Sequence, residues 1–342
     1  MAHQYTSRIC GTGSWVPERQ VTNEEVAAHF AIRNQDIFRV TGIRTRHWSQ
    51  AHETCSHLAE HAARLALDDA GLSSDAMDAI LVSTTSPDKP FPSVACSLQN
   101  RLGAKHVAAF DLSASCSGFL YGLSMAHAFI CSGKFHRCLV VAAEIKSRTL
   151  HASQPASGVL FGDGAGAVVV TREDVSCPGP VSTRPRHGSR GIIAIRLYSD
   201  GAHHGLITIP AGGSRLPTSL DTVREHQHAI RLHGKAVYRV AVKRLTEAME
   251  TILRETDTPL AAVKYVMTHQ ANGRMLHTIA KRLGVREDQM ISIIDRVGNT
   301  SSASLPMALD WAHRQGNLCH GDLILLGAFG GGFTWGTALV RW

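Results

Sequence analysis

Three side chains suited to acyl chemistry sit where a strand hands over to a turn. The run FDLSASCSGFLYGL places Cys116 at a small-residue turn leading into a helix. A thiol at a helix N-terminus feels the positive end of the macrodipole and unpaired N–H groups, which favour the thiolate. Such a site lowers a free cysteine pKa of ~8.5 by one to several units. Ser113, Ala114, Ser115, Ser117 and Gly118 are all small, leaving room for a substrate and for backbone N–H groups to face an oxyanion. Downstream, VMTHQAN carries His269 and DRVGNTSSAS carries Asn299. Neither run places an Asp or Glu to orient the imidazole, as a hydrolytic triad requires. Two neutral donors instead suit a thioester oxygen that becomes an enolate. Consecutive glycines in AFGGGFT let backbone approach a ligand, and one N–H there completes an oxyanion hole with that of Cys116.

The elements that carry these residues read as α/β. Short β-branched runs at 79–85, 106–112, 138–144 and 167–172 are echoed by runs at 265–270, 290–295, 323–329 and 337–342. Helical patterns cover 57–70, 117–132, 234–254, 273–283 and 301–314. His269 follows Thr85 by 184 residues (269 − 85), and the same spacing relates Ile294-Asp295 to Phe110-Asp111 and Leu323 to Leu139. One spacing at three strand ends predicts a duplicated unit, with halves at 1–172 and 191–342. The Pro, Gly, Ser and Arg-rich segment 173–190 is the expected linker, and 210–217 reads as an irregular loop beside a site. About a pseudo-twofold axis, the Cys116 and Asn299 turns would face each other with His269 beside them.

Composition narrows the class. The chain has 342 residues, 44% of them hydrophobic, and a formal charge of +7, which excludes a disordered chain and a small disulfide scaffold. No apolar run is long enough to span a membrane and the N-terminus has no secretory apolar core, so a soluble, cytoplasmic protein is expected. The eight cysteines are scattered without a C-x-x-C pair, and those other than Cys116 read as mostly small buried hydrophobes. The positive charge is not interleaved with aromatics, so nucleic acid is not the expected partner. No metal is expected: HETCSH is one residue too long for a zinc-protease pattern, and His57/His61 and His203/His204 lack a third ligand. FGDGAG reads as a structural turn, since Asp163 would repel a phosphate.

Taken together, DLSASCSGF, FGDGAGA, THQAN, GNTSSAS and AFGGGFTWGTALVRW resemble the β-ketoacyl-acyl-carrier-protein synthase III family, extended by GTGSWVPE, TGIRTRH and FPSVAC. The resemblance implies a thiolase-like fold, α-β-α-β-α layers about a pseudo-twofold axis, in a homodimer. It implies that Cys116 takes an acyl group from a CoA or carrier-protein thioester. His269 and Asn299 would then hold the malonyl thioester oxygen during decarboxylation and Claisen condensation. By the same resemblance, the N–H groups of Cys116 and Gly331 bind the oxyanion, and Phe329 walls the malonyl carboxylate away from solvent. Phe91 closes the partner's acyl pocket and Leu160 borders that pocket. Arg239, Arg274, Lys281 and Arg282 form a basic patch for the acyl carrier protein. No cofactor is implied beyond the thioester substrates. Asp36 and Pro155 stand where relatives that prime from acetyl-CoA clamp the adenine with Trp and Arg, and Val40 replaces a phosphate-binding Arg. An acidic Asp36 disfavours CoA phosphates and points to a specialised pathway member. One rival activity is acyl transfer to an alcohol, amine or carrier thiol without decarboxylation. A non-catalytic scaffold is the other, and retention of Cys116, His269 and Asn299 argues against it.

Overall fold

Alternation of aliphatic side chains to both faces builds the strands that carry the site. In the computed structural model, which describes residues 5–174 and 190–342, these are β1 (Tyr5–Trp15), β2 (Ala79–Ser83), β3 (Ala108–Leu112), β4 (Arg137–Glu144), β5 (Gly164–Asp174), β6 (Gly191–Ser199), β7 (Val263–Thr268), β8 (Met290–Ile291), β9 (Leu323–Gly330) and β10 (Thr334–Arg341). The expected linker and Cys177 lie, apart from the linker's ends, outside the described residues. The strands form two five-stranded sheets ordered β3-β2-β4-β5-β1 and β8-β7-β9-β10-β6. In each, the first three strands of the order are parallel and the last two pairings antiparallel. The two sheets are therefore one topology used twice.

The helices that matter here are α1 (Asn34–Thr41), α2 (Cys55–Ala70), α3 (Val94–Leu102), α4 (Gly118–Cys131), α5 (Gly234–Glu255), α6 (Gly273–Leu283) and α7 (Ser304–Arg314). Helices α4 and α7 form the middle layer. Phe119, Leu120, Leu123 and Ile130 of α4 and Leu305, Met307 and Leu309 of α7 share one core with Leu81 and Val140 on one side and Leu326 and Val340 on the other. Ile80 and Val82 point the opposite way, onto α2 and α3, while α5 and α6 cover the far sheet. Each large aliphatic or aromatic side chain so buried contributes about 1.5–3 kcal/mol. The layers are α-β-α-β-α, with the N-termini of the two central helices meeting in the middle.

Three expectations change. β1 and β6 were not foreseen. β1 (YTSRICGTGSW) is rich in Ser, Thr and Gly and shows no clean apolar alternation; its partner is the valine-rich β5. Gly13 there passes so close to α2 that a Cβ would lie 2.3 Å from the Ala62 carbonyl. The expected strand 290–295 ends at Ile291, because the Gln270 side chain takes over: its Oε1 accepts the Ile293 N–H (2.9 Å) and its Nε2 donates to the Ile291 carbonyl (3.3 Å). Ile294–Val297 is a helical turn, so Ile294-Asp295 is not a strand match. The spacing between halves is also not single, since Arg137 and Leu323, which open β4 and β9, lie two residues further apart than Ala79 and Val263, which open β2 and β7.

Candidate active site

Small residues let the chain turn sharply between β3 and α4. Ser115–Ser117 make one 3₁₀ turn, with Ser115 in the left-handed region (φ 51) and Cys116 buried behind it. The β9–β10 hairpin clamps this turn: Thr334 Oγ1 donates to the Ala114 carbonyl (3.0 Å) and accepts from Ser117 Oγ (2.8 Å). A Cβ on Gly330 would lie 2.5 Å from the Cys116 nitrogen, so glycine alone permits this approach to the nucleophile's amide. Gly331 follows, half-buried, beside Ile207 and Ser115.

The second half delivers an equivalent turn, Ser301–Ala303, whose first residue is again a left-handed serine (φ 53). Ser301, two residues past Asn299, is what reaches the sulfur: Cys116 Sγ lies 3.2 Å from Ser301 Oγ. The Ser301 N–H donates to Asn299 Oδ1 (2.9 Å), which fixes the carboxamide with its nitrogen outward. Asn299 Nδ2 makes one long bond to the Ala271 carbonyl (3.4 Å), leaving a hydrogen for a ligand. Ala271 is two residues from His269, so the three side chains belong to one buried cluster.

His269 continues β7, its N–H bonded to the Gly327 carbonyl. Ser304, the first residue of α7, orients the ring at 2.7 Å from Nδ1. The Ser304 oxygen also accepts the Gln270 N–H; the Ser304 hydrogen is assigned to Nδ1 and the ring hydrogen to Nε2. The ring meets Phe329 edge-on at 5.2 Å. Burial pushes the imidazole down to about 3, against the opposing pull of Glu144 and the Ser301 carbonyl, so it is a neutral donor. The unfolded ring titrates at about 6.5. Between these values the unfolded chain binds a proton that the folded chain refuses, so stability falls as pH drops below about 6.5. The loss reaches about 2 kcal/mol near pH ~5. Urea unfolding of wild type and His269→Gln at both pH values checks this; an equal acid loss in both proteins would contradict it.

The thiol departs from expectation. Burial raises the Cys116 pKa, with Glu144 adding to the rise and the Ser301 hydrogen bond and Lys146 opposing it. The helix itself begins only at Gly118, two residues past Cys116. Glu144 itself, fully buried at the end of β4, is held ionised below the usual carboxylate range despite its burial. Lys146 Nζ (2.9 Å), Ser86 Oγ (2.6 Å), Ser302 Oγ (3.0 Å) and Ser301 Oγ (3.1 Å) all donate to it.

Two family models match the chain: 3-oxoacyl-[acyl-carrier-protein] synthase III over residues 110–201, and the C-terminal part of that synthase over residues 253–342. A β-ketoacyl-[acyl-carrier-protein] synthase III of Bradyrhizobium diazoefficiens is 41% identical over 336 residues, 98% of each chain. The chain belongs to this family. A second relative of the same description, from Paramagnetospirillum magneticum, is 42% identical over 98% of each chain. Among solved structures, the 3-oxoacyl-[acyl-carrier-protein] synthase III of Aquifex aeolicus aligns with a TM-score of 0.87 at 36% identity, covering 98% of this chain and 100% of that one. A priming β-ketosynthase of a polyketide pathway aligns at 0.88 and 31% identity, covering 100% and 97%. The thiolase-like fold follows.

Within this synthase III framework the remaining residues fall into place unevenly. Phe91 is 85% exposed, on the loop before α3. Leu160 is half-buried against Ile43, Leu276 and Ile294, and its carbonyl accepts the Asn299 N–H (2.9 Å). Arg239, Arg274, Lys281 and Arg282 are all exposed, and none forms an ion pair with a carboxylate among the described residues. Arg274 lines a groove of about 830 Å³ between α1 and α6, together with Phe38, Arg39, Tyr238, His277 and Arg296. Asp36 is bonded to both Arg39 (2.6 Å) and Arg33 (3.0 Å), and the Arg39 bond is the main reason its carboxyl lies below the usual range. Its charge is thus answered twice. Val40 turns its carbonyl to Asn272 (3.1 Å), and Pro155 is the exposed first residue of the helical turn Pro155–Gly158. Asp163 is a structural residue, accepting from Ser49 and Ser147. Cys96 and Cys319 are exposed, unlike the buried Cys55, Cys131 and Cys138. Among the described residues no group of three or more metal-binding side chains is present, and no helix is long and apolar enough to cross a membrane.

Glu144, Lys146, Ser301 and Ser304 are the members of this cluster that sequence reasoning missed. The available signals were a carboxylate closing the fully apolar run CLVVAA and the serines inside GNTSSAS.

Proposed function

We propose that the chain is a homodimeric acyltransferase that performs a decarboxylative Claisen condensation in fatty-acid or specialised polyketide biosynthesis. Cys116 attacks an acyl thioester, the carrier thiol leaves, and the acyl group remains on sulfur. Malonyl-acyl carrier protein then binds. As carbon dioxide leaves, the thioester oxygen becomes an enolate oxygen held by His269 Nε2–H and the free Asn299 Nδ2 hydrogen. The enolate carbon attacks the acyl-Cys116 carbonyl, whose oxygen faces the Cys116 and Gly331 N–H groups, and collapse releases the β-ketoacyl product. Phe329 walls the malonyl carboxylate from water and so favours its loss.

The observation that carries this reading is the convergence of Cys116, Asn299 and His269 on Ser301 and Ala271, with the imidazole neutral. A neutral donor pair is what an enolate needs. Simple acyl transfer has no use for the Asn299 carboxamide. Incubation with carboxyl-labelled malonyl carrier and an acyl donor separates the two. Labelled carbon dioxide with a β-keto product supports condensation, whereas an intact acyl group passed onward supports the rival.

The reading extends to the surroundings. Halves 1–172 and 191–342, joined through 173–190, are supported as copies by the matched sheet orders. A second copy against β3 is supported by that strand's edge position, its half-exposed residues and the bare Phe91 ring. In that dimer Phe91 reaches the partner's acyl pocket, which Leu160 borders. Sedimentation of a single species at monomer mass would count against it. Arg239, Arg274, Lys281 and Arg282 suit an acidic carrier protein, and the neutralised Asp36 leaves CoA thioesters open as primer donors. With Arg239→Glu, KM for the malonyl carrier should rise about tenfold and lose much of its salt dependence, with kcat held. An unchanged KM would remove Arg239 from the docking surface.

A further inference from the structure

The mechanism above leaves a buried ion pair unused, and it lies one hydroxyl away from the nucleophile. Cys116 Sγ is 3.2 Å from Ser301 Oγ, which is 3.1 Å from Glu144 Oε1; Glu144 Oε2 is 2.9 Å from Lys146 Nζ. Burying such a pair costs several kcal/mol per ion unless every oxygen and proton is bonded. Here both carboxylate oxygens are: Oε1 also accepts from Ser302 and Thr85 hydroxyls, and Oε2 from Ser86 Oγ and the Thr85 N–H. Glu144 therefore keeps a full donor set even when Ser301 turns away.

We infer that Ser301 is a positioning residue for the nucleophile, a hydroxyl that donates to Glu144 while Cys116 is a thiol and turns to donate to the sulfur when the thiol proton leaves. In the resting arrangement the Ser301 hydrogen points at the carboxylate, so its oxygen accepts the Cys116 S–H. During acylation the S–H bond breaks, the S–C bond to the acyl carbon forms and the bond to the carrier sulfur breaks. The departing carrier thiolate takes up a proton, so the net transfer is from one sulfur to another. Glu144 is not the base, because its donors hold it as a carboxylate far too acidic to keep a thiol proton. His269 is not, because its Nδ1 is occupied by Ser304. The developing charge on sulfur needs a donor, and Ser301 is the near one, since Ser115 Oγ is 3.9 Å away. The left-handed backbone of Ser301 fixes that hydroxyl on the nucleophile's side. Among the described residues, Glu144 and Lys146 are the leading charged groups acting on Cys116; His269, on the neighbouring strand end, is neutral.

This inference rests on Cys116 being the nucleophile, and its test reads the thiol without requiring condensation. The rate of Cys116 alkylation by iodoacetamide, followed by peptide mass in the full-length protein, is measured against pH. With Ser301→Ala the midpoint should move up by about one unit, and alkylation near neutral pH should slow about tenfold. Ser301→Thr, which keeps the hydroxyl, should restore both. Glu144→Gln should move the midpoint the other way, since Lys146 is then unopposed and Ser301 is released to the sulfur. A merely structural Ser301 would not give shifts of opposite sign. An unmoved midpoint in Ser301→Ala, or no rescue by threonine, overturns the inference whether or not the Glu144 variant folds. If wild-type Cys116 takes up neither iodoacetamide nor acyl groups, it is the proposed function that fails instead.

Discussion

Cys116→Ala should lose acyl uptake completely and β-keto product formation by at least about 10,000-fold, because no other group can hold the acyl chain between the two half-reactions. The variant should still release carbon dioxide slowly from malonyl-acyl carrier protein, since His269 and Asn299 are untouched and the alanine leaves Asn299 Oδ1 bonded to the Ser301 N–H. Folding should be retained, as among the described residues the sulfur's hydrogen bonds are the one to Ser301 and a long one to Ser115. Comparing product formation with carbon dioxide release in one assay checks both halves. Equal loss of the two would mean that the cysteine supports the site rather than carrying the substrate.

Asn299→Ala should show the opposite division. Acylation of Cys116 should proceed at close to the wild-type rate, while carbon dioxide release and condensation fall about 100- to 1,000-fold, the usual loss for one donor to a developing oxyanion. The substitution also removes the acceptor for the Ser301 N–H, so a modest loss of stability should accompany it, about 1–3 kcal/mol for a buried unsatisfied group. Single-turnover acylation measured by mass, set against carbon dioxide release, separates the two effects. A variant that condenses normally would remove Asn299 from the chemistry and favour plain acyl transfer.

What was legible in the sequence was local. Cys116 and His269 each follow a strand end and Asn299 follows a helical turn, all inside runs of small or polar residues, and the eye needs only a few neighbours to find them. Glu144 was not legible, because a carboxylate ending an apolar strand ordinarily meets water; here it meets Ser301 and Ser302 of the turn before α7, more than 150 positions away in the chain. Ser304 hides for the same reason, being one serine in a serine-rich turn whose ring partner lies on another strand. The burial that raises the Cys116 pKa was not legible, because it depends on side chains brought in from both halves. β1 escaped notice since its glycines and hydroxyls answer to the backbone of α2 and the valines of β5 rather than to any alternation of its own. The pairing of Asp36 with Arg33 and Arg39 is one that spacing alone suggests but does not decide.

Intact-protein mass spectrometry with peptide mapping, taken after an acyl thioester and again after malonyl-acyl carrier protein, tests the shared cluster most directly. The acyl mass should appear on the Cys116 peptide, disappear on the second addition, and return on the carrier as a β-ketoacyl chain lighter by one carbon dioxide than the sum of its precursors. An acyl mass on another cysteine, or one returned to the carrier unextended, would contradict the convergence of Cys116, His269 and Asn299 on a single reaction.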